Sequence, residues 1–429
     1  MAKAIRSITD VAEKHLCCGC GACAYVQPEA IRMVDDLDQG RRPLVREGAS
    51  TAEALGVCPG LGLELAIPEE DAGKCLPGLR DHWGPVLEVW EGYAGDGEIR
   101  FAGSSGGAAT ALALHCLERE GMHGVVHIAA RPDVPYLNRT VLSTTRAEML
   151  AATGSRYAPA SPCDGLQAAV DAPRPCVFIG KPCDVAATRM ARARRPELDR
   201  KLGLTIAIFC AGAPSTAGTL EMARVLGVED PRAIRRVRYR GNGWPGAAEV
   251  ATGPAVPEVP AGNGGEEAVR RLGYEESWGA ILQKHRPWRC HVCADHSGEF
   301  ADVSVGDPWY REIPPGEPGR SFVMARTERG RRLVRAAIES GALVLEPADP
   351  GIVSASQPNL LRTRGAVWAR ILTTRLLGIA APRFVNMPML GAFWRYLGPV
   401  EKVRAFTGTL KRAFTKGLFR RRKVREYAP

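Results

Sequence analysis

The sequence predicts an α/β protein built from three parts: a small cysteine-rich amino-terminal segment (residues 1–80), a mainly parallel α/β body (85–350) and a helical, basic carboxy-terminal extension (351–429). Three observations lead to this prediction. Cysteines are concentrated near the amino terminus, short aliphatic runs alternate with helix-like stretches through the body, and basic residues gather at the carboxyl end. Strands that alternate with helices indicate a largely parallel sheet covered by helices.

In the body, the strand-like runs are short and rich in aliphatic or β-branched residues, and they occupy residues 124–130, 175–180 and 203–210. The helix-like stretches begin just after turn-forming residues, and they occupy residues 106–121, 184–195 and 214–227. The segment 252–267 is rich in Gly, Pro and charge, which predicts an exposed loop or insertion.

The net charge of +10 is unevenly distributed. Ten Lys or Arg residues and one Glu lie between Lys402 and Pro429, which leaves about +1 for the first 401 residues. The basic character therefore belongs to the extension and does not indicate a nucleic-acid-binding body. Within the extension, large apolar residues recur every three or four positions between basic ones: Val403, Phe406, Leu410, Phe414 and Leu418. This pattern predicts an amphipathic basic helix that lies on an anionic membrane surface; the alternative is a helix packed on the body and followed by a disordered end.

The cellular compartment is predicted from what the chain lacks. Its first residues do not form the continuous apolar stretch of a secretory signal, and no run approaches the ~18 apolar residues of a membrane-spanning helix. Thirteen cysteines in such a chain indicate thiolate ligands in a reducing compartment, not a disulfide framework. We therefore expect a cytoplasmic protein, with peripheral contact to the inner membrane face through the extension as an open alternative.

The first group of cysteines is Cys17-x2-Cys20-x2-Cys23, the spacing with which a bacterial ferredoxin begins to bind an iron–sulfur cluster. Three ligands this close favour a cubane cluster over zinc, because zinc sites usually use two separated pairs. A zinc knuckle and an inert buried turn remain alternatives. Gln27 stands before Pro28, where a ferredoxin has a further cysteine, so the fourth ligand must come from elsewhere. Cys58, which precedes a proline, is favoured over Cys75.

A second group is scattered in sequence. Cys183 and Cys210 each follow a predicted strand, and Cys290 and Cys293 form a C-x2-C pair. Because ligand sites in open α/β sheets form at the carboxyl ends of strands, these four predict a second thiolate site. A C-x2-C pair with two separate cysteines can also bind zinc. For Cys210 alone, the alternative is a small apolar side chain buried in the core. The remaining cysteines receive no ligand role: Cys18 is out of phase with the first group, Cys116 and Cys176 are assigned to the core, and Cys163 is left unassigned.

The stretch FAGSSGGAATALA is a Gly/Ser turn that runs into a helix, where free backbone N–H groups can bind an anion such as phosphate. The signal is weak alone, and the stretch matches neither G-x-G-x-x-G nor a P-loop.

Taken together, seven motifs resemble the coenzyme F420 hydrogenase/dehydrogenase beta-subunit family. They are LCCGCGAC, GSSGGAATAL, GSRYAP, GKPCDVAA, FCAGAPS, CHVCADHSGEFADVSVGD and SFVMARTERG, and they occur in the family's order over residues 15–345. Gln27 departs from the pattern, since many relatives have a further cysteine there for a second ferredoxin-type cluster. The resemblance therefore implies a single ferredoxin-like cluster in the amino-terminal segment and a second cluster, beside a flavin, at the group of Cys183.

The resemblance also implies a flavin site, an activity and partners. FAD is expected near the GSSGG turn, in surroundings formed by Ser104, Ser105, Gly106, Gly107, Thr110, Gly154, Ser155, Tyr157, Lys181, Asn242 and Asp307. Lys181 is the candidate catalytic residue, because it would place positive charge near a reduced, anionic flavin; a surface salt bridge is the alternative.

The implied function is that of an oxidoreductase. It relays electrons from a low-potential donor, ferredoxin or a reduced deazaflavin coenzyme, through two [4Fe-4S] clusters and FAD to a two-electron acceptor. A partner redox subunit is also expected. The alternatives are a non-catalytic electron-transfer subunit of a hydrogenase or dehydrogenase complex and a zinc-stabilised binding protein.

Overall fold

A computed structural model describes residues 5–67, 73–253, 268–312, 314 and 316–429 of the chain. The amino-terminal segment consists of short elements around a two-stranded antiparallel hairpin. Its elements are α1 (Ile8–Glu13), α2 (Ala22–Val26), β1 (Ile31–Asp36), β2 (Gly40–Val45), α3 (Ala52–Leu55) and β3 (Gly62–Glu64). The predicted loop at 252–267 lies almost entirely outside the described residues.

The body follows with alternating strands and helices, as the sequence predicts. Its first half comprises α4 (Pro77–Trp83), β4 (Glu88–Ala94), α5 (Gly97–Ala102), α6 (Ala108–Glu118), β5 (Val125–Ala130), β6 (Asn138–Ser143), α7 (Arg146–Ala151), α8 (Leu166–Asp171), β7 (Cys176–Gly180), α9 (Pro182–Arg192), α10 (Pro196–Lys201), β8 (Leu202–Ile208) and α11 (Thr216–Val225). Its second half comprises β9 (Ile234–Arg238), β10 (Ala248–Thr252), β11 (Ala268–Leu272), α12 (Trp288–His291), β12 (Val303–Gly306), β13 (Ser321–Ala325), α13 (Glu328–Glu339) and β14 (Leu343–Pro347). A π-helix at Glu275–Ile281 precedes α12.

Eight of these strands form one mixed sheet in the order β14-β4-β13-β12-β8-β7-β5-β6. The neighbours β12, β8, β7 and β5 run parallel, whereas the pairs at both flanks are antiparallel. The α/β class is therefore confirmed, and the parallel part of the sheet is its centre. The carboxyl ends of β7, β8 and β12 consequently meet at one edge, which is where a ligand site is expected.

The two faces of the central sheet pack against different helices. In β7, Val177 belongs to the core that includes Leu112 and Leu114 of α6, whereas Phe178 belongs to the core that includes Val185 of α9. Successive residues of a strand point to opposite faces, so both faces of this strand are buried under helices. A smaller antiparallel sheet, β11-β10-β9, lies beside this body.

The carboxy-terminal extension contains α14 (Gly351–Ser356), α15 (Pro358–Leu376), β15 (Arg383–Val385), α16 (Leu390–Tyr396) and α17 (Pro399–Thr415). Strand β15 pairs in parallel with β3 of the amino-terminal segment, Arg383 opposite Gly62. The residues after α17 have no regular secondary structure, but they are held in place: Arg421 donates to Glu13 at 2.6 Å and Arg422 to Asp38 at 2.7 Å. The alternative of a disordered end is therefore wrong. Within the described ranges, no helix is both long and apolar enough to cross a membrane.

Candidate functional site

Five cysteines of the amino-terminal segment line one small cavity: Cys17, Cys18, Cys20, Cys23 and Cys58. We call Cys17, Cys20, Cys23 and Cys58, the four that the sequence predicts as ligands, the first thiol set. The sequence favoured Cys58 over Cys75, and the structure places Cys58 at this cavity. Cys75 is not among the residues that line it, and its electrostatic influence falls on Arg326 of the body.

Backbone geometry explains why the first three cysteines sit so close together. Gly19 and Gly21 adopt positive φ angles of 75° and 90°, a region that side chains with a Cβ rarely enter. A Cβ at Gly19 would also lie 2.8 Å from the carbonyl oxygen of Arg41. The loop can therefore turn twice within six residues, and Cys17, Cys20 and Cys23 reach the same cavity.

Gln27 supports the loop that delivers the fourth cysteine. Its Oε1 accepts a hydrogen bond of 3.0 Å from the backbone N–H of Ala54, and its Nε2 donates one of 3.1 Å to the carbonyl of Ser50. Both contacts anchor the start of α3, which leads directly to Cys58. The residue that departs from the ferredoxin pattern thus helps to position the distant cysteine.

The second thiol set comprises Cys183, Cys210, Cys290 and Cys293. Cys183 is the second residue of α9, just after β7, and Cys210 follows β8. Cys290 lies in α12, and Cys293 lies two residues beyond its end. The four influence one another: burial, followed by the neighbouring Cys183 and Cys290, raises the pKa of Cys210 to about 12. The sequence prediction that these scattered cysteines meet at the carboxyl edge of the sheet agrees with this placement.

Both sets fit a group that binds thiolates. Burial and then the neighbouring Cys20 and Cys17 raise the pKa of Cys58 to about 12, so Cys58 is a neutral thiol at pH 7 unless a cation binds. Among the described residues, no three His, Cys, Asp or Glu side chains are arranged to hold a single metal ion. Four thiols are the donor set of both [4Fe-4S] clusters and tetrahedral zinc sites.

Two residues that sequence reasoning missed connect the thiol sets. The thiol of Cys18 lies near enough to that of Cys183 for the two to influence each other's pKa, and Cys17 and Cys20 also act on the pKa of Cys18. The guanidinium of Arg289, 3% exposed, donates a 2.9 Å hydrogen bond to the carbonyl of Pro59. Burial alone would lower the pKa of Arg289, but electrostatic attraction to Cys18, Cys293 and Cys183 is stronger, and the pKa is raised.

Lys181 lies with the second thiol set. Its Nζ is 2.6 Å from Oδ2 of Asp184, whose side chain is almost fully buried. Burial disfavours the charge of Lys181, but Asp184 and Cys183 outweigh it and raise its pKa. The salt bridge that was the alternative for Lys181 is thus present, with a partly exposed lysine and a buried partner, and the catalytic role of Lys181 stays a prediction.

The predicted phosphate turn packs tightly against the sheet. The Gly106 N–H donates to Oγ of Ser321 at 2.8 Å, and Ser105 Oγ donates to the carbonyl of Arg320 at 2.5 Å. The expectation of free N–H groups in this turn is therefore wrong for Gly106. Gly107 has φ 73° and caps α6, whose first turn carries Thr110. Ser104 Oγ accepts from the N–H of Ser155 at 2.5 Å, which brings two of the predicted flavin motifs together.

A third predicted motif joins them through Arg240, which the sequence did not single out. Its guanidinium makes two hydrogen bonds to Asp307, of 3.0 and 2.8 Å, and donates to the hydroxyl of Tyr157 at 3.3 Å. Asp307 also accepts from the indole N–H of Trp244 at 2.9 Å. Asn242 lies in the same loop with a positive φ of 59°. The signal for Arg240 was the RYRGNGWPG turn, where glycines flank the asparagine.

Comparison with known proteins places this architecture among redox subunits. Residues 89–167 match the family model described as coenzyme F420 hydrogenase/dehydrogenase, beta subunit N-term, and residues 174–351 match the companion model for the carboxy-terminal part of the same beta subunit. The first thiol set and most of the carboxy-terminal extension lie outside both matches.

Curated relatives agree. The coenzyme F420 hydrogenase subunit beta of Methanosarcina barkeri is 23% identical over 60% of this chain and 81% of its own length. The F420-dependent formate dehydrogenase subunit beta of Methanocaldococcus jannaschii is 26% identical over 60% of this chain and 62% of its own length. A chain of the solved F420-reducing [NiFe] hydrogenase complex from Methanosarcina barkeri shares the fold. It has a TM-score of 0.52 and 21% identity, and the match covers 68% of this chain and 94% of that one.

Proposed function

Because this chain belongs to the coenzyme F420 hydrogenase/dehydrogenase beta-subunit family, we propose that it is an iron–sulfur flavoprotein oxidoreductase. It relays electrons from a low-potential donor, ferredoxin or a reduced deazaflavin coenzyme, through two [4Fe-4S] clusters and FAD to a two-electron acceptor. One observation carries this proposal. Two sets of four cysteines lie so close together in one chain that Cys18, beside the first set, and Cys183 of the second set influence each other's pKa.

The residues that would hold each group follow from the site. The first and second thiol sets would each bind one cluster, and the turn at Ser104–Gly107 with Gly154, Ser155, Tyr157, Asn242 and Asp307 would bind FAD. When bound, clusters transfer single electrons, and a flavin couples them to a two-electron reaction.

The chain's own side chains set the electrostatics of this path. Arg289 and Lys181 supply positive charge between and beside the thiol sets, where four thiolates would otherwise repel one another. Cys17, Cys20 and Cys23 are buried, which strengthens these interactions at the first set, whereas Cys58 and the four cysteines of the second set are partly exposed. Arg240 holds Asp307 from two nitrogen atoms and thereby fixes the loop of Asn242.

Two other functions compete with this proposal. The curated relatives are named as subunits of larger enzymes, which favours a non-catalytic electron-transfer subunit. A zinc-stabilised binding protein is the other, because thiol sets of this composition also bind zinc.

Anaerobic purification separates the three. The proposal expects about eight irons, acid-labile sulfide and one FAD per chain, with reoxidation of the reduced protein by a small-molecule acceptor. Zinc without flavin would overturn it. Iron and flavin without turnover by the isolated chain under an artificial reductant would favour the passive subunit.

One further observation favours peripheral membrane contact through α17. Val403, Leu410 and Phe414 are 61%, 44% and 66% exposed, whereas Phe406 packs on Trp368 and Leu418 is buried. Basic residues flank the exposed apolar side chains, which suits an anionic surface.

The test of this membrane contact is sedimentation with vesicles containing phosphatidylglycerol. The variant Leu410→Asp/Phe414→Asp should lose binding, and Val225→Asp, an exposed position in α11, serves as control. Equal binding by all three proteins would exclude the contact.

A further inference from the structure

The C-x2-C pair of the second thiol set rests on the carboxy-terminal extension. Residues of α12 and just beyond it share one buried core with residues of α15 and α17; they are Trp288 and Val292 on one side and Val367, Ile371 and Ala413 on the other. All five are at most 6% exposed. Both family matches end at or before residue 351, so α15 and α17 lie outside them. The loop that delivers two of the four thiols is therefore supported by a part of the chain that the family models do not cover.

Two arginines of α15 hold this loop by its backbone. Arg370 donates a hydrogen bond of 2.8 Å to the carbonyl of His291, and Arg364 donates one of 3.1 Å to the carbonyl of Ala294. His291 and Ala294 directly follow the two cysteines of the pair. Each cysteine of the pair is therefore next to a carbonyl that α15 fixes, and a charged donor makes a stronger hydrogen bond than a neutral one.

Arg364 also fixes the turn that follows the pair. Its Nη1 contacts the carboxylate of Glu299, and Arg364 and Glu299 are 3% and 1% exposed. Ala294 and Glu299 are the two ends of this turn. Within it, the carboxylate of Asp295 accepts hydrogen bonds from three backbone N–H groups, at 2.7 to 3.0 Å. One buried side chain of the extension thus holds both ends of a turn that its own hydrogen bonds already close.

The same turn holds Cys210, a third member of the second thiol set. The N–H of Cys210 donates to the carbonyl of His296 at 2.9 Å. In return, Nδ1 of His296 lies 2.9 Å from the carbonyl of Cys210, to which it donates because a carbonyl can only accept. Cys210 is therefore held at both of its backbone groups by the turn that Arg364 fixes. The contacts of α15 thus reach three of the four cysteines of the set: Cys210, Cys290 and Cys293.

We propose that Arg364 and Arg370 are positioning residues for the second thiol set, so that the carboxy-terminal extension is part of this metal site. Acting through the backbone, they fix the places of three of its thiols. A metal that binds thiolates is then retained more strongly, because the thiols do not have to be ordered when it binds. The identity of that metal as iron in a [4Fe-4S] cluster rests on the proposed function.

The test measures metal release from the full-length, anaerobically purified protein. Bathophenanthroline disulfonate should remove about eight irons from the reduced native protein. In Arg370→Met, about four irons should leave at least about tenfold faster while the other four keep the native rate, because the carbonyl that loses its donor belongs to the loop of the second set. Adding Cys58→Ser, which should remove the iron of the first set, should leave only the fast phase.

Arg364 needs a variant that does not leave a buried charge unpaired. Arg364→Met/Glu299→Gln removes both charges of the pair and should give the same two phases. Arg364→Lys keeps the charge and a donor group, so its iron should leave more slowly than that of the double variant. The matched control is Arg375→Met, which removes a guanidinium of the same helix whose hydrogen bond of 3.1 Å goes to Pro382 of the extension. It should release iron as the native protein does.

Each arginine is judged by its own variant. Native release rates would remove that arginine from the site, and equal acceleration of all the iron, or an equal effect in Arg375→Met, would indicate general destabilisation and overturn the positioning role. The iron content of the native protein tests the proposed function separately. If the native protein holds zinc instead, 4-(2-pyridylazo)resorcinol follows its release, and the same comparison of variants still decides the role of the arginines. Either idea can therefore fail alone.

Discussion

Arg289 donates a hydrogen bond of 2.9 Å to the carbonyl of Pro59, the residue after Cys58, while its own helix carries Cys290. The buried guanidinium of Arg289 therefore contacts the loop that carries Cys58 of the first thiol set. Arg289 itself lies in the helix that carries Cys290 of the second set. No other residue that we describe makes a direct hydrogen bond of this kind between the loop of Cys58 and α12. The electrostatics of the two sets are consequently coupled through Arg289 as well as through Cys18.

Replacing Arg289 by Met should lower the reduction potential of at least one cluster. Reduction adds negative charge, and a buried cation nearby favours the reduced form. A fall on the order of 50 mV, about tenfold for one electron, is expected in a potentiometric titration followed by EPR. Arg289→Lys keeps the positive charge, so its reduction potential should stay close to that of the native protein. The control is Arg332→Met, which removes a charge from a side chain that is 62% exposed. An equal fall of the reduction potential in this control would contradict the role assigned to Arg289.

Replacing Cys58 by Ser should remove about four irons per chain, because it deletes one of the four thiols of the first thiol set. Iron and sulfide analysis, with the visible spectrum, gives the result. Cys75→Ser is the matched control and should keep all iron, since Cys75 does not line the cavity. The reverse outcome would reassign the fourth ligand.

Gln27→Ala refines the same test. The side chain of Gln27 makes two hydrogen bonds to the start of α3, so the variant should lose about 1–2 kcal/mol of unfolding free energy. Iron content in the folded protein should be unchanged. Loss of a cluster without loss of stability would show that Gln27 acts on the sulfur site directly.

Asp307→Ala should destabilise the protein by about 3–5 kcal/mol, because it leaves Arg240 buried without its counter-charge. Urea unfolding measures the loss, and FAD retained after gel filtration should fall with it. Arg240→Met/Asp307→Leu removes both charges and should recover much of the stability but not the FAD. Full recovery of both would remove Asp307 from the flavin site.

His127 should make stability depend on pH. Burial lowers its pKa to about 4, and its Nε2 lies 2.8 Å from Oγ of Ser143. Between about pH 6.5 and 4 the unfolded chain binds a proton that the folded chain refuses, so stability falls with falling pH by up to about 3 kcal/mol. His127→Gln should flatten this part of the profile. A variant profile parallel to that of the native protein would exclude His127 as the cause.

Local sequence signals predicted much of this architecture. Turn residues located the starts of α6, α9 and α11, and aliphatic runs located β5, β7 and β8, because these depend on neighbouring residues. The position of Cys58 was predicted from a Cys-Pro pair. The antiparallel flanks of the sheet were not foreseen, since strand direction depends on the connections and leaves no local pattern.

The missed residues share a physical reason. Cys18, Arg289 and Arg240 act through contacts with residues distant in sequence, and nothing next to them reveals those partners. The basic composition of the last residues predicts contact with a membrane surface or a disordered end. Their acidic partners, Glu13 and Asp38, lie almost 400 residues away.

The pairing of β15 with β3 also bears on the timing of synthesis. All four cysteines of the first thiol set leave the ribosome long before Arg383, which pairs with Gly62, has been added. At ~5–20 residues per second, the intervening 320 or so residues take roughly 15–60 s. During that interval the newly made thiols stand beside an open strand edge. If the first thiol set holds a cluster, iron and sulfide can reach its thiols before β15 has been made, and the β3–β15 pair forms only afterwards.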